Sequence, residues 1–82
     1  NKQVEDGREY FCHQIKKKNY LINNGKSLSV LVFFNSKKKM KMIHKRLVKN
    51  KIYTKTIQVK NYNFIRVSCA PKNIMKRILN FF

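Results

Sequence analysis

Acidic side chains are almost missing from this 82-residue chain. Three carboxylates, Glu5, Asp6 and Glu9, stand against 20 lysines and arginines, and no acid follows Glu9. The formal charge is +17. Like charge at this density repels itself, and an anionic partner is its natural neutraliser. The three carboxylates have no His or Ser motif beside them, so acid–base or nucleophilic catalysis has little to draw on. Glycine is equally scarce. Gly7 and Gly25 are the only two, which excludes a Gly-rich loop cradling a nucleotide phosphate. Together these absences point away from an enzyme that works alone, with no catalytic residues, no cofactor and no small-molecule substrate.

Cysteine is limited to Cys12 and Cys69. A secreted disulfide scaffold of this size carries more, so a reducing compartment is the default. With His13 and His44 the two thiols invite a zinc site. Neither a Cys-x-x-Cys nor a His-x-x-x-His spacing occurs, and neighbours on a helix diverge, so no metal is expected. No apolar run is long enough to span a bilayer, and no signal peptide is visible. The chain starts at Asn1 rather than Met, and further sequence upstream is expected.

What is present begins with a hydrophobic content of 43%, enough for one small domain with its own core. Sixteen of the 20 cations are lysine. Lysine makes point contacts to phosphate rather than the bidentate forks of arginine. That favours affinity for a nucleic-acid backbone over readout of individual bases.

Residues 1–7 are polar and end in Asp6-Gly7, which reads as a lead-in or linker with a short strand around Val4. Arg8 to Ile22 reads as a helix with Phe11, Cys12, Ile15 and Ile22 near one face. Asn23-Asn24-Gly25 reads as its stop. Ser27 to Phe34 is the clearest strand: Leu28, Val30, Val32 and Phe34 alternate, and Leu31 and Phe33 make the other face apolar at its far end. Asn35-Ser36 caps a second helix through about Asn50, with Met40, Ile43, Leu47 and Val48 as its apolar positions. Ile52 to Val59 alternates again, with Tyr53, Ile57 and Val59 on one side. Asn61-Tyr62-Asn63 has turn chemistry, and Phe64 to Cys69 returns as a strand. Beyond Pro71, residues 73–82 read as a short amphipathic helix carrying Ile74, Ile78, Leu79 and Phe82. The expected fold is α+β: two helices on one face of a three- to four-stranded sheet, in the order (β)αβαββ, plus the short C-terminal helix. Residues 8–72 form the expected RNA-binding domain and residues 73–82 its C-terminal helix.

Several motifs carry a resemblance. Glu9-Tyr10 opens the first helix, and Tyr20-Leu21 closes it ahead of Gly25. Leu28, Val30, Val32 and Phe34 alternate through the next strand, Phe34-Asn35-Ser36-Lys37-Lys38 makes the corner, and Ala70-Pro71-Lys72 follows the last strand. In that order the chain, from Glu9 to Lys72, resembles the C-terminal domain of bacterial-type translation initiation factor three. The family's corner glycine is Ser36 here, and the family's start to the second helix is absent. The resemblance implies binding to small-subunit ribosomal RNA and hindrance of large-subunit joining, as a monomer on the ribosome. A divergent organellar factor, mitochondrial or plastid, or a resident ribosomal protein of the same fold fits the pattern. Carried over by position, Lys17, Lys18, Lys26 and Lys37 would contact RNA phosphate.

The run Lys37-Lys38-Lys39-Met40-Lys41, continuing to Lys45-Arg46, is the strongest local feature. It starts a helix, where backbone N–H groups already favour an anion. The plain alternative is a solvated helix face. Lys16-Lys17-Lys18 joins it on one surface if the two helices face the same way. Among the aromatics, Phe11, Phe34 and Phe64 are expected inside, leaving Tyr62 at a turn tip as the candidate for base stacking. Two other readings compete. Ser29 to Lys38 resembles the strand and first helix of the second motor lobe of a superfamily-two helicase, which requires further parallel strands. The apolar face of residues 73–82 could also attach to an anionic membrane, or dock on the domain itself.

Overall fold

The structure, a computed structural model, describes residues 1–23 and 28–82. Of the expected helix stop Asn23-Asn24-Gly25, Asn23 falls in a strand, while Asn24 and Gly25, the strand start at Ser27 and the candidate phosphate contact Lys26 lie outside the described residues. The elements are α1 (Lys2–Lys17), β1 (Ile22–Asn23), β2 (Ser29–Phe34), α2 (Lys37–Lys49), β3 (Lys55–Val59), β4 (Tyr62–Ser68) and α3 (Lys72–Leu79). The strands form one antiparallel sheet in the order β1-β2-β4-β3. The fold is α+β with the helices on one face, as the hydrophobic pattern requires. Both neighbours of β2 run antiparallel to it, which does not fit the parallel strands of a helicase lobe.

The first helix departs from the reading of its residues. Residues 1–7 are not a lead-in: α1 begins at Lys2, and the Asn1 side chain accepts a hydrogen bond from the Gln3 N–H at 2.9 Å. Gly7, a residue that favours loops, is helical because it is a contact point. It is buried, and a β-carbon there would collide with the Ala70 carbonyl oxygen. The helix also ends earlier than expected. Asn19 takes a left-handed φ of 69°, the Asn19 N–H bonds to the Lys16 carbonyl, and the Tyr20 N–H bonds to the Ile15 carbonyl. That paired pattern is a Schellman cap. It frees Ile22 to pair with Val32 as an edge strand, so the extra strand follows the first helix instead of preceding it.

The second helix forms as its sequence indicates. The Ser36 hydroxyl accepts from the Lys39 N–H at 3.1 Å, satisfying one of the unpaired first-turn donors. Its far end repeats the Schellman pattern, with Lys51 at φ 63° and the Ile52 N–H bonded to the Leu47 carbonyl at 2.8 Å. The β3–β4 hairpin turns at Lys60-Asn61, with Lys60 left-handed at φ 54°. Tyr62 is therefore the first residue of β4, paired with Val59, and not the tip of the turn.

One face of the sheet and all three helices share a core. Val30, Val32 and Phe34 from β2 and Ile65 and Val67 from β4 meet Phe11 and Ile15 of α1, Met40, Ile43 and Leu47 of α2, and Met75, Ile78 and Leu79 of α3. Helix α3 packs chiefly along α1. Its buried positions include Met75, whereas Ile74 faces out. An apolar face committed in this way is not open to a membrane. Among the described residues no helix is long and apolar enough to cross one. Phe81 and Phe82 extend the packing: the Phe82 ring meets Phe11 edge-on at 5.9 Å and Tyr20 at 5.9 Å.

Residues directly opposite in an antiparallel pair point to the same side. The register thus puts Leu31, Phe33, Lys55, Ile57, Val59, Tyr62, Phe64 and Arg66 on the face away from the helices. Phe64 was expected inside and is not part of the core. A strand apolar on both faces gives no sign of which one is covered.

Candidate nucleic-acid interface

Helix α2 buries Met40, Ile43 and Leu47 along one stripe. The helical period sends Lys38, Lys41, Lys45 and Lys49 to the opposite side, with Lys39 and Arg46 on one flank and Lys37 on the other. All seven cations are exposed, and no acid stands in the first turn. Three lysines at the amino end of a helix oppose its dipole, and like charges three and four residues apart repel. The helix persists because the buried stripe and the Ser36 cap hold it. The helix itself carries no counter-charge, since the sequence has no Asp or Glu after Glu9.

The end of α1 and the start of α2 meet in a shallow groove of about 320 Å³ lined by Lys18, Tyr20, Phe34, Ser36 and Lys39 among others. Tyr20 is its floor. It packs on Phe34 at 5.4 Å, and the Lys39 ammonium lies 5.1 Å from the centre of its ring. Lys18 and Lys39 therefore share one surface. Lys18 also donates to the Leu79 carbonyl at 3.1 Å, capping α3, so its charge is held in place by the fold. Lys17 is exposed in the last turn of α1.

Two cations not expected among the RNA contacts form a second group. Lys72 and Lys76 of α3 lie 5.0 and 5.7 Å from the Tyr10 ring centre. Their spacing of four residues was the available signal. On the open sheet face, Tyr62 is 56% exposed and has company: Phe33 lies 6.0 Å and Phe64 6.5 Å from its ring centre. Neither was read from sequence as a stacking residue: Phe64 was expected inside, and Phe33 only made the far end of its strand apolar on both faces. The alternation of Leu31 and Phe33 was the signal that could have found them.

Cys12 is buried and Cys69 half-buried. Burial pushes the Cys69 thiol above its ordinary range, the Arg8 guanidinium pulls it partly back, and Cys12 adds to the rise. His44 sits on α2. Its Nε2 lies 3.1 Å from the Thr54 carbonyl oxygen, tying α2 to the segment before β3. Among the described residues no group of three or more His, Cys, Asp or Glu comes together as metal ligands would. Comparison with protein-family models, curated proteins and solved structures gives no match, so the reading of this surface rests on its residues alone.

Proposed function

We propose that this domain binds RNA by its phosphate backbone, through the exposed lysines of α2 and the groove they share with Lys18. The observation that carries this reading is the placement of Lys37, Lys38 and Lys39 in the first turn of α2, with no acid in that turn. That arrangement works against the helix and is relieved by phosphate. Lys41, Lys45, Arg46 and Lys49 continue the charge for about two further turns. The setting we propose is small-subunit ribosomal RNA in a bacterial-type, organellar translation system, with the domain hindering premature subunit joining. Its support is the motif order from Glu9 to Lys72.

The test is sedimentation of the chain with isolated small ribosomal subunits over a range of salt, followed by addition of large subunits. Binding that weakens steeply with salt, then release when the subunits join, is the expected result. Retention in the joined particle would replace the initiation role with that of a resident ribosomal protein. Failure to bind either subunits or free RNA would remove the RNA reading altogether.

A further inference from the structure

The open face of the sheet has its own chemistry. Phe33, Tyr62 and Phe64 form a triangle of rings with centres 5.7, 6.0 and 6.5 Å apart, Tyr62 and Phe64 stacked within 23° of parallel. Ile57 and Val59 lie beside them on β3. A solvated sheet face is ordinarily polar. Here the rings are only partly covered, and the helices pack on the other side. In the next row along the strands, about 7 Å away by strand geometry, Lys55 stands directly across from Arg66, both exposed. Like charges directly opposed in a sheet repel. A shallow concavity lined by Tyr53, Thr54, Lys55, Arg66 and Ser68 opens beside that pair.

We infer that this face is a stacking platform for unpaired bases of single-stranded RNA, with Phe33, Tyr62 and Phe64 meeting the bases and Lys55 and Arg66 meeting the backbone. The inference rests on the RNA reading above and adds a strand preference that the lysine ridge does not supply. Two features select the occupant. An apolar protein partner would cover the Lys55–Arg66 pair without counter-charge. A second copy of this chain would bring a body of formal charge +17 against its equal. A single strand of RNA offers flat rings and an anion to each group, since every base has a π face. The α2 ridge lies on the opposite side of the sheet, so bases and duplex backbone would be read by different surfaces.

The decisive comparison uses a ten-nucleotide oligouridylate and a ten-base-pair RNA duplex against the intact chain. Phe33→Leu with Phe64→Leu, and separately Tyr62→Leu, keep the apolar volume and remove the rings. Affinity for the single strand should fall about tenfold for each ring removed, while duplex affinity and its salt dependence stay unchanged. With the unaltered chain, cross-linking of a 4-thiouridine oligonucleotide should map to the tryptic peptide from Asn61 to Arg66. Equal loss on both probes, no loss on either, or cross-links confined to α2 would overturn the platform while leaving the backbone reading intact. Self-association abolished by the leucine variants would instead make the face an interface between copies. If neither RNA binds the unaltered chain, the parent reading fails first.

Discussion

Gly7 on α1 lies against the Ala70 carbonyl so closely that no β-carbon fits between them. This contact fixes where the chain leaves β4 and enters α3. Alanine is the better helix former by about 1 kcal/mol, so Gly7→Ala would stabilise an exposed helix. Here the overlap is with backbone, and overpacking costs about 1–3 kcal/mol. We expect Gly7→Ala to lower the urea midpoint of unfolding. A raised midpoint would mean that α1 and the Ala70-Pro71 corner do not touch.

Met75 tests the docking of α3. It is fully buried, and truncating a buried methionine costs about 2–5 kcal/mol. Met75→Ala should therefore destabilise the whole domain in one cooperative transition. Ile74→Ala, at a position 46% exposed on the same helix, should cost well under half as much. Equal effects of the two would contradict the orientation of the helix.

The first turn of α2 sets stability against binding. Lys37→Glu places an acid where the helix dipole favours one, a gain of about 0.3–1 kcal/mol. The same change should weaken RNA binding. Replacing Lys37, Lys38 and Lys39 together with glutamine should flatten the log–log salt dependence of duplex RNA binding by about two to three units. A stabilised variant whose salt slope is unaltered would detach these lysines from the phosphate.

Cys69 gives a pH dependence with a definite sign. Its thiol is raised above the ordinary range chiefly by burial, with Arg8 opposing and Cys12 reinforcing. The folded thiol thus holds its proton longer than the unfolded one. Its contribution to stability is intact below the unfolded thiol range and is lost as pH rises through the higher folded value. Iodoacetamide at mildly alkaline pH should modify Cys69 more slowly in the folded chain than in urea. Subtracting the pH profile of Cys69→Ala should isolate a loss of stability confined to alkaline solution.

Much of the fold was legible in the residues, and the exceptions have physical causes. The alternation of Val30, Val32 and Phe34 and the helical spacing of Met40, Ile43 and Leu47 each predict the buried face that forms. Ser36 is legible as a cap because a serine ahead of an apolar period has one obvious use. The start of α1 was not legible: Gly7 suits a loop by local preference, and only a contact 63 residues later in the chain makes it helical. Tyr62 and Phe64 were misread together. Asn61-Tyr62-Asn63 carries turn chemistry, yet the turn closes at Lys60-Asn61, and the shift brings Tyr62 into β4. Composition also asks for Phe64 in the core, but period-two alternation cannot say which face the helices cover. For the candidate site, the α2 lysines were plain from sequence. The convergence of Lys18 with Lys39 over Tyr20 needed the chain to fold first.

The three carboxylates of the molecule sit in the first half of α1, and the lysines that line the groove begin at its other end. Glu5 and Lys18 are thirteen residues apart, about 20 Å along a helix axis. At physiological ionic strength charge is felt over about 8 Å. Glu5 is therefore too distant to quench the groove's cations, and the cations that stand nearer the acids are others: Lys2 and Arg8 on the same helix, with Lys72 and Lys76 over Tyr10. A polyanion would meet the least compensated charge where the carboxyl end of α1 joins the start of α2, and the field there favours an approach with that end leading. Orientation would be decided in solution, ahead of any contact that reads the partner.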